Sequence, residues 1–265
     1  MSTFRRTIPV CIPARWAAKR FPGKLLEPFG NGTVLSHSVA TATAAAVGPV
    51  CVLAADERIE KEALRVGVTV HRIDQDCRNG SERIAVALNS GLLGKPMPEI
   101  VVNLQGDAVG LPPEAIAACV RSLLDDPEAT LATCAVRGTL GEHNGRTTVT
   151  RSGNRALAFS RHPLPPETGE QDHRLGDQPN EQLLLHLGVY AYRVPALLEI
   201  ASSEPGLLEL EESLEQLRWL ERNHRIALSI LDRDVSSAHA IDYPEDLSGS
   251  PSPHSHSNAS SDHLP

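Results

Sequence analysis

Short apolar runs alternate with helical hydrophobic patterns through the first half of the chain. The runs that favour strands are TIPVCIP, PVCVLAA, VTVHRI and EIVVNLQ, and a further strand, TLATCAV, follows at residues 130–136. Between them, VLSHSVATATAAA, KEALRVG and PEAIAACVRSLLDD have the spacing of helices. Strand, helix and strand in this order are typical of right-handed βαβ units. We therefore predict an α/β fold with a mainly parallel sheet flanked by helices.

The pattern becomes polar and rich in glycine and proline between residues 137 and 182. TTVT and ALAFS are short strand candidates there, and residues 163–182 predict a long loop of the kind that often covers a substrate. LLLHLGVYAYR and RIALSIL predict two more strands, with the helices PALLEIASS and 209–223 between them. The second helix has a leucine stripe that we expect in the core, formed by Leu210, Leu214, Leu217 and Leu220.

Composition places the chain among ordinary globular proteins and limits its partners. Of its 265 residues 41% are hydrophobic, and the formal net charge of -8 argues against a nucleic-acid partner. The opening apolar run is short and broken by Pro9 and Pro13, so we expect no signal peptide, no membrane span and a cytoplasmic location. Residues 1–247 are predicted to form the folded domain. Residues 248–265, rich in serine, proline and histidine, predict a disordered tail.

Four cations without an acid stand together in PARWAAKRFPGK, residues 13–24: Arg15, Lys19, Arg20 and Lys24. The segment follows the first predicted strand, and open α/β sheets bind ligands at the carboxyl ends of their strands. Basic side chains and the amides of an irregular loop can hold a phosphate chain there. The segment contains neither G-x-x-x-x-G-K-[ST] nor G-x-G-x-x-G, so the common nucleotide motifs do not apply. A solvated surface loop is an equal alternative.

Two aspartates stand at the ends of predicted elements, where they could hold a metal. Asp107 ends a strand in NLQGDAVG, and Asp242 lies in AIDYPEDL near the end of the domain. Magnesium takes one or two protein carboxylates and completes its shell with phosphate oxygens and water. The alternatives are a turn residue at Asp107 and a helix cap at Asp242.

The order of the motifs resembles one family. IPARWAAKRFPGK looks like the family pattern IPARYxSxRLPGK, AADE like ATDD or ATDH, NGSERIAVAL like SGTERLAEV, and NLQGD like NVQGD. Later, ALAFSRHPLP resembles ALYFSRSPIP, LHLGVYAYR resembles RHLGIYGYR, LEQLRWLE resembles LEQLRxLE, and IDYPEDL resembles VDTPEDL. The resemblance covers residues 8–247 nearly without a break and identifies the chain as a member of the CMP-Kdo synthetase family of cytidylyltransferases.

The resemblance implies a Rossmann-like nucleotidyltransferase fold with a small acceptor-binding and dimerisation subdomain at about 137–220. It also implies a homodimer, Mg²⁺, and transfer of CMP from CTP to a small anionic acceptor with release of pyrophosphate. By the matching motifs, Arg15, Arg20 and Lys24 bind the triphosphate, and Arg15, Lys24 and Asp107 act in catalysis. Mg²⁺ is held by Asp107 and Asp242. The cytosine and ribose are framed by Ala54, Asp56, Asn79, Gly80 and Ser81, with Gln105 nearby, and the acceptor by Arg161, His186, Tyr190, Glu215 and Gln216.

Some of these roles have simpler alternatives. His186 and Tyr190 occupy alternate positions of a strand and could face the core. Glu215 could pair with Arg218 on an exposed helix face, a contact that stabilises by only about 0.3–0.5 kcal/mol. The motif matches favour acceptor-facing positions for all three.

The chain departs from the family pattern at several positions. Ala108 and Val109 replace an acid and a proline beside Asp107, Ala18 and Lys19 replace a serine and a threonine, and Leu185 replaces an arginine. The helix expected after the last motif is interrupted by residues 248–251. A less negative pocket would favour a smaller or more highly charged acceptor.

Three hypotheses follow from the motifs and the departures. The departures slightly favour a divergent enzyme of specialised metabolism that activates a phosphonate such as phosphonoformate. The second hypothesis is a synthetase that activates 3-deoxy-manno-octulosonate (Kdo), an eight-carbon sugar acid. The third is a non-catalytic CTP-binding protein.

Overall fold

The computed structural model describes residues 8–18, 20–139, 143, 146–164, 183–232 and 239–249. Lys19, most of the predicted substrate loop and the predicted tail beyond residue 249 lie outside these residues. All helices of the described part are too short or too polar to span a bilayer.

The described strands form one large sheet and two small ones. Strands β5-β4-β1-β6-β11-β8-β12-β10-β9 form the large sheet in that order, β2 pairs with β3, and β7 pairs with β13. The bounds are β1 Val10–Ala14, β2 Pro28–Phe29, β3 Gly32–Thr33, β4 Val50–Ala54, β5 Thr69–Arg72, β6 Ile100–Leu104, β7 Ala108–Val109, β8 Leu131–Gly138, β9 Thr148–Ser152, β10 Arg155–Ser160, β11 Leu183–Arg193, β12 Ile226–Leu231 and β13 His239–Ala240.

Helices cover both faces of the large sheet. They are α1 Val34–Ala44, α2 Glu57–Val66, α3 Gly80–Asn89, α4 Pro113–Asp125, α5 Val194–Ala201, α6 Leu207–Glu212 and α7 Gln216–Glu221. Apolar residues of α1, α2 and α4 pack in one core, and those of α3, α5 and α7 pack in the other. Because β6 is buried on both faces, its sequence IVVNL is apolar at every position except Asn103 and does not alternate.

The predicted α/β architecture is confirmed, and the parallel part of its sheet is formed by the half of the chain in which strand and helix patterns alternate. Strands β5, β4, β1 and β6 are parallel neighbours. The second half is mixed, because β11 runs antiparallel to both β6 and β8 while β12 is parallel to β8. Residues from the predicted acceptor part contribute β9, β10 and β11 to this same sheet. The division of the chain into subdomains stays a prediction.

The single helix predicted over residues 209–223 is wrong. The segment forms α6 and α7, separated at Ser213, whose φ of 53° is in the left-handed region. The Arg161 guanidinium donates to the carbonyls of Glu212 and Ser213, at 3.0 and 3.3 Å. These tertiary contacts end α6, and the predicted leucine stripe is divided: Leu214 is buried but Leu210 is 65% exposed.

Candidate active site

A cleft of about 1700 Å³ opens at the carboxyl ends of β1 and β6 and extends beneath α6 and α7. Its wall contains most of the residues that the sequence pointed to, although they come from distant parts of the chain. Predicted residues on the wall are Arg15, Arg20, Lys24, Asn79, Gly80, Gln105, Asp107, Arg161, His186, Tyr190, Glu215, Gln216 and Asp242.

The segment after β1 that carries Arg15, Arg20 and Lys24 is called the cation loop, and Gly23 holds it in an irregular shape. Its φ is 82°, and an added Cβ would lie 2.9 Å from Nε1 of Trp16, so a larger residue would both strain the backbone and collide with the indole. A short 3-10 turn follows at Lys24–Leu26 and directs Lys24 into the cleft. The loop therefore presents cations where the first parallel strand ends.

The Lys24 ammonium joins the two aspartates that were predicted to hold a metal. It contacts the Asp107 carboxylate, lies 3.4 Å from Oδ1 of Asp242, and donates to the carbonyl oxygen of Ile241 at 2.6 Å. The Arg20 guanidinium binds the same Asp242 oxygen at 2.8 Å. Two cations from the loop after β1 thus meet two carboxylates from distant parts of the sequence.

Backbone pairing brings the two carboxylates together. The antiparallel pair β7 and β13 joins the segment after Asp107 to the segment before Asp242, and the Ile241 amide donates to the Asp107 carbonyl at 3.1 Å. The Asp246 carboxylate then accepts the amides of Asp242 and Tyr243, at 2.7 and 2.8 Å. The end of the domain is therefore held against the side of the cleft that carries Lys24 and Arg20.

The oxygens at this position suit a hard divalent cation. The Asp107 and Asp242 carboxylates and the Ile241 carbonyl all converge on Lys24. Within the described residues, no cluster of three or more His, Cys, Asp or Glu side chains offers a complete metal site. A donor set of two carboxylates suits Mg²⁺, which draws the rest of its shell from phosphate and water.

Three of the residues proposed to frame the nucleotide do not reach the cleft wall. Ala54 is fully buried, and Ser81 is 1% exposed with its hydroxyl 3.2 Å from that of Tyr192. The Asp56 carboxylate accepts the Ile59 amide at 3.1 Å, which caps α2, and the Trp16 amide at 2.7 Å. Asp56 thus anchors the start of the cation loop, which is a positioning role.

At the far end of the cleft, His186 is held as a neutral imidazole. Burial, together with the nearby charge of Arg146, lowers its pKa to about 3. The Thr133 hydroxyl donates to the Val189 carbonyl at 2.7 Å and lies 2.8 Å from Nε2 of His186, so Nε2 carries the proton and donates to Thr133. Nδ1 is left as an acceptor for a ligand hydroxyl.

Tyr190 and Gln216 lie beside this histidine. The Tyr190 hydroxyl donates to Oε1 of Gln216 at 3.2 Å, and its ring centroid lies 5.3 Å from that of His186. Burial raises the Tyr190 pKa, so the phenol keeps its proton. Both side chains line the cleft, but they are only 9% and 7% exposed, and Tyr190 also packs in the core, as the core-facing alternative predicts.

Glu215 lies at the break between α6 and α7, on the cleft wall. Burial raises its pKa to about 7, although the Ser81 hydroxyl and Arg218 favour the ionised form. The alternative pairing with Arg218 is wrong, because that guanidinium binds Glu209 through two hydrogen bonds of 2.5 and 2.6 Å. Glu215 can therefore exchange a proton near neutral pH at the acceptor end of the cleft.

The glutamine variant of Glu215 tests this environment. An unfolded glutamate has a pKa of about 4.3, so between that pH and about 7 the folded protein retains a proton that the unfolded chain has lost. This proton stabilises the folded protein fully below about pH 4.3, and the stabilisation is lost as the pH rises through about 7. We expect the melting temperature of Glu215→Gln, relative to the parent protein, to increase from pH 5 to pH 8.

The control is Glu57→Gln, which removes an exposed carboxyl whose pKa Lys61 lowers. The melting temperature of Glu57→Gln, relative to the parent protein, should not increase from pH 5 to pH 8. Calorimetric melting curves at four pH values measure these differences. If the difference in melting temperature between Glu215→Gln and the parent protein stayed constant with pH, it would contradict a raised pKa of Glu215.

Sequence reasoning missed several residues that support the cleft. Glu212 accepts the Ser160 hydroxyl at 2.8 Å and the Arg161 amide at 2.9 Å, which fixes α6 over the site. Arg83 is 5% exposed, lines the cleft, and donates to the Ile73 carbonyl at 2.9 Å. Arg83 lies inside the motif NGSERIAVAL, so the match of this motif to the family pattern could have identified Arg83 as a residue of the site. No sequence signal pointed to Glu212, because its partners Ser160 and Arg161 lie about 50 residues earlier in the chain.

Comparison with known proteins agrees with this geometry. A family model described as cytidylyltransferase matches residues 10–226. A 3-deoxy-manno-octulosonate cytidylyltransferase of Anaeromyxobacter sp. (strain Fw109-5) is 37% identical over 244 residues, which cover 91% of this chain and 94% of that protein. The protein of the same name from Pelobacter propionicus is 35% identical over 249 residues, covering 91% of this chain and 94% of that protein.

Solved structures extend the comparison to three dimensions. The structure of CMP:2-keto-3-deoxy-manno-octonic acid synthetase complexed with CTP superposes with a TM-score of 0.77 at 25% identity, covering 92% of this chain and 95% of that one. A cytidylyltransferase from Leptospira borgpetersenii has a TM-score of 0.59 at 17% identity, with 91% and 84% covered, and shares the fold.

The fold and the family model define a nucleotidyltransferase, and within that class a cytidylyltransferase. The family match and the relatives narrow this class further. The chain belongs to the CMP-Kdo synthetase family of cytidylyltransferases. The hypothesis of a non-catalytic CTP-binding protein is therefore not supported.

Proposed function

We propose that this enzyme transfers CMP from CTP to 3-deoxy-manno-octulosonate, with Mg²⁺, and releases pyrophosphate. The observation that carries the proposal is that all five predicted acceptor residues line the same cleft as the cations and the two aspartates. The relatives described above are named for this acceptor. The cleft of about 1700 Å³ exceeds the usual range of about 300–1000 Å³ for one small ligand, which leaves room for a nucleotide and a sugar acid together.

The proposed reaction brings together two anions, the triphosphate of CTP and the acceptor. The cations of the loop after β1 reduce the repulsion between them. Arg15, Arg20 and Lys24 bind the triphosphate and stabilise the charge that grows on the departing pyrophosphate. Arg15 makes no ion pair or hydrogen bond within the described part of the chain, so its guanidinium needs no existing contact broken before it binds phosphate. No protein nucleophile is needed, because an acceptor oxygen attacks the α-phosphorus directly.

The acceptor end supplies orientation. Neutral His186 offers Nδ1 as an acceptor, while Tyr190 and Gln216 offer hydrogen-bonding groups to sugar hydroxyls. Glu215, with a pKa near 7, can accept a hydrogen bond or a proton from a hydroxyl at this end. Mg²⁺ held by Asp107 and Asp242 would neutralise phosphate charge when bound.

The departures that favoured a phosphonate have structural explanations. Leu185 is 1% exposed, packs in the core with α4 and is not part of the cleft wall, so the leucine itself does not shape the acceptor end of the cleft. Ala108 and Val109 lie on the cleft wall but are only 7% and 1% exposed, and they form β7, whose pairing with β13 aligns the two aspartates. Neither change requires a smaller acceptor, and we therefore favour the sugar acid over phosphonoformate.

The remaining parts of the proposal rest on the family resemblance. We propose a homodimer that acts in the cytoplasm. Light scattering coupled to size-exclusion chromatography tests the dimer, and a monomeric mass at micromolar concentration would contradict it.

Pyrophosphate release tests the proposed function directly. The purified enzyme is given CTP, Mg²⁺ and one acceptor from a panel of Kdo, related sugar acids and phosphonoformate, with ATP, GTP and UTP as nucleotide controls. We expect release with CTP and Kdo only, and loss of release when EDTA removes the metal. Turnover with phosphonoformate alone would overturn the acceptor, and undiminished turnover in EDTA would overturn the role of the metal.

A further inference from the structure

The position of Lys24 suggests more than phosphate binding. Its ammonium contacts the oxygens that the proposed Mg²⁺ would use, namely those of Asp107 and Asp242. We propose that Lys24 and the divalent cation compete for these carboxylates, so that metal binding transfers the ammonium to the triphosphate. This inference rests on the magnesium dependence proposed above.

The contacts account for the full donor capacity of the lysine. An ammonium has three N–H donors on a compact charge, and Lys24 meets Asp107, Asp242 and the Ile241 carbonyl. The Lys24 and Asp107 side chains are only 13% and 16% exposed. Screening by water is therefore weak, and an ammonium and a dication cannot occupy this position together.

Hydrogen bonds fix the backbone around Lys24, whereas the lysine side chain has a flexible four-carbon stem. The amides of Leu26 and Glu27 donate to the carbonyls of Gly23 and Lys24, at 2.8 and 3.2 Å, and Leu25 is buried. Exchange therefore requires rotation of the flexible four-carbon stem and no loop movement. The displaced ammonium stays on the loop that carries Arg15, next to the proposed position of the triphosphate.

Arg20 keeps Asp242 in place during the exchange. Its guanidinium binds Oδ1 of Asp242 at 2.8 Å, the oxygen that Lys24 approaches at 3.4 Å. When the ammonium leaves, this ion pair still orients the carboxylate. The exchange makes metal and triphosphate binding cooperative, and by thermodynamic linkage each raises the affinity of the other by the same factor.

Manganese binding without nucleotide tests the competition. The probe is Mn²⁺, whose free concentration is measured by electron paramagnetic resonance in titrations of the parent protein, Lys24→Met and Arg15→Met. Methionine keeps the length of the side chain and removes its charge. We expect Lys24→Met to bind Mn²⁺ roughly 5- to 150-fold more tightly than the parent, the usual range for coupling between two ligands.

Arg15→Met is the matched control, because it removes one charge from the same loop without touching either carboxylate. Its Mn²⁺ affinity should stay close to that of the parent. Equal tightening in both variants would indicate a general field effect and would overturn the proposal, as would no tightening in Lys24→Met.

A labelling experiment on the parent protein covers the case in which Lys24→Met does not fold. Reductive methylation, followed by mass spectrometry, measures the reactivity of Lys24 with and without Mg²⁺. We expect Mg²⁺ to increase labelling of Lys24 and to leave Lys61, whose side chain is 73% exposed, unchanged. Unaltered protection of Lys24 at a Mg²⁺ concentration that supports turnover would overturn the exchange while leaving the proposed function intact.

Discussion

Replacing Asp107 with asparagine should lower the turnover number about 100- to 1000-fold, by analogy with the loss of one preorganised charge-stabilising group. The side chain keeps its size but no longer carries the charge that binds Lys24 and would bind Mg²⁺. Folding should survive, because Lys24 retains Asp242 and the Ile241 carbonyl as partners. Pyrophosphate release at saturating CTP and Kdo measures the effect.

The control for this experiment is Asp74→Asn, which removes a carboxylate with 77% side-chain exposure that pairs with Arg72. Its turnover should equal that of the parent enzyme. Near-normal turnover in a folded Asp107→Asn protein would refute the role of this residue as a metal ligand.

Replacing Arg218 with methionine should lower the free energy of unfolding by about 3–5 kcal/mol, the usual cost of breaking a buried ion pair. The Arg218 side chain is 2% exposed and the Glu209 side chain 12%. The guanidinium also donates to the carbonyls of Ile200 and Ser203, at 3.2 and 3.1 Å. Loss of the guanidinium leaves the Glu209 carboxylate without its Arg218 partner and removes the contacts by which Arg218 connects α6 with α5 and α7. Urea denaturation measures the change.

A matched control is Arg65→Met, which breaks another two-bond pair between arginine and glutamate, with Glu62. Arg65 is 60% exposed, and exposed pairs contribute little to stability. The two variants differ mainly in burial. If both lowered stability equally, burial would not be the reason for the strength of the Arg218 contact.

The fold was predictable where local patterns and burial agree. Alternating strands and helices identified the parallel half, and Asp56 and Gly67 mark the ends of α2 as cap and left-handed terminus. Prediction failed at residues 209–223, where a strong helical pattern is interrupted at Ser213. The Arg161 contacts that end α6 come from the residue after β10, about 50 residues earlier in the chain, so no local signal could report them.

The site divides in the same way. Most residues that the matching motifs identified lie on the cleft wall, including Asp107 and Asp242, because residue type within a motif is a property of sequence. The pattern did not distinguish residues that line the cleft from residues that support it. Asp56 and Ser81 stand in matching motifs, but their side chains anchor the loop after β1 and contact Tyr192.

The sequence by itself determined the family, the α/β class and the residue types available to bind phosphate and acceptor, since these depend on order and composition along the chain. Only the tertiary structure decided that Lys24 lies between two aspartates, that Glu215 has a pKa near 7 at a helix break, and that Leu185 faces the core. The physical reason is that charge, pKa and burial depend on neighbours in space. Those neighbours are set by strand pairing between segments that the chain keeps far apart.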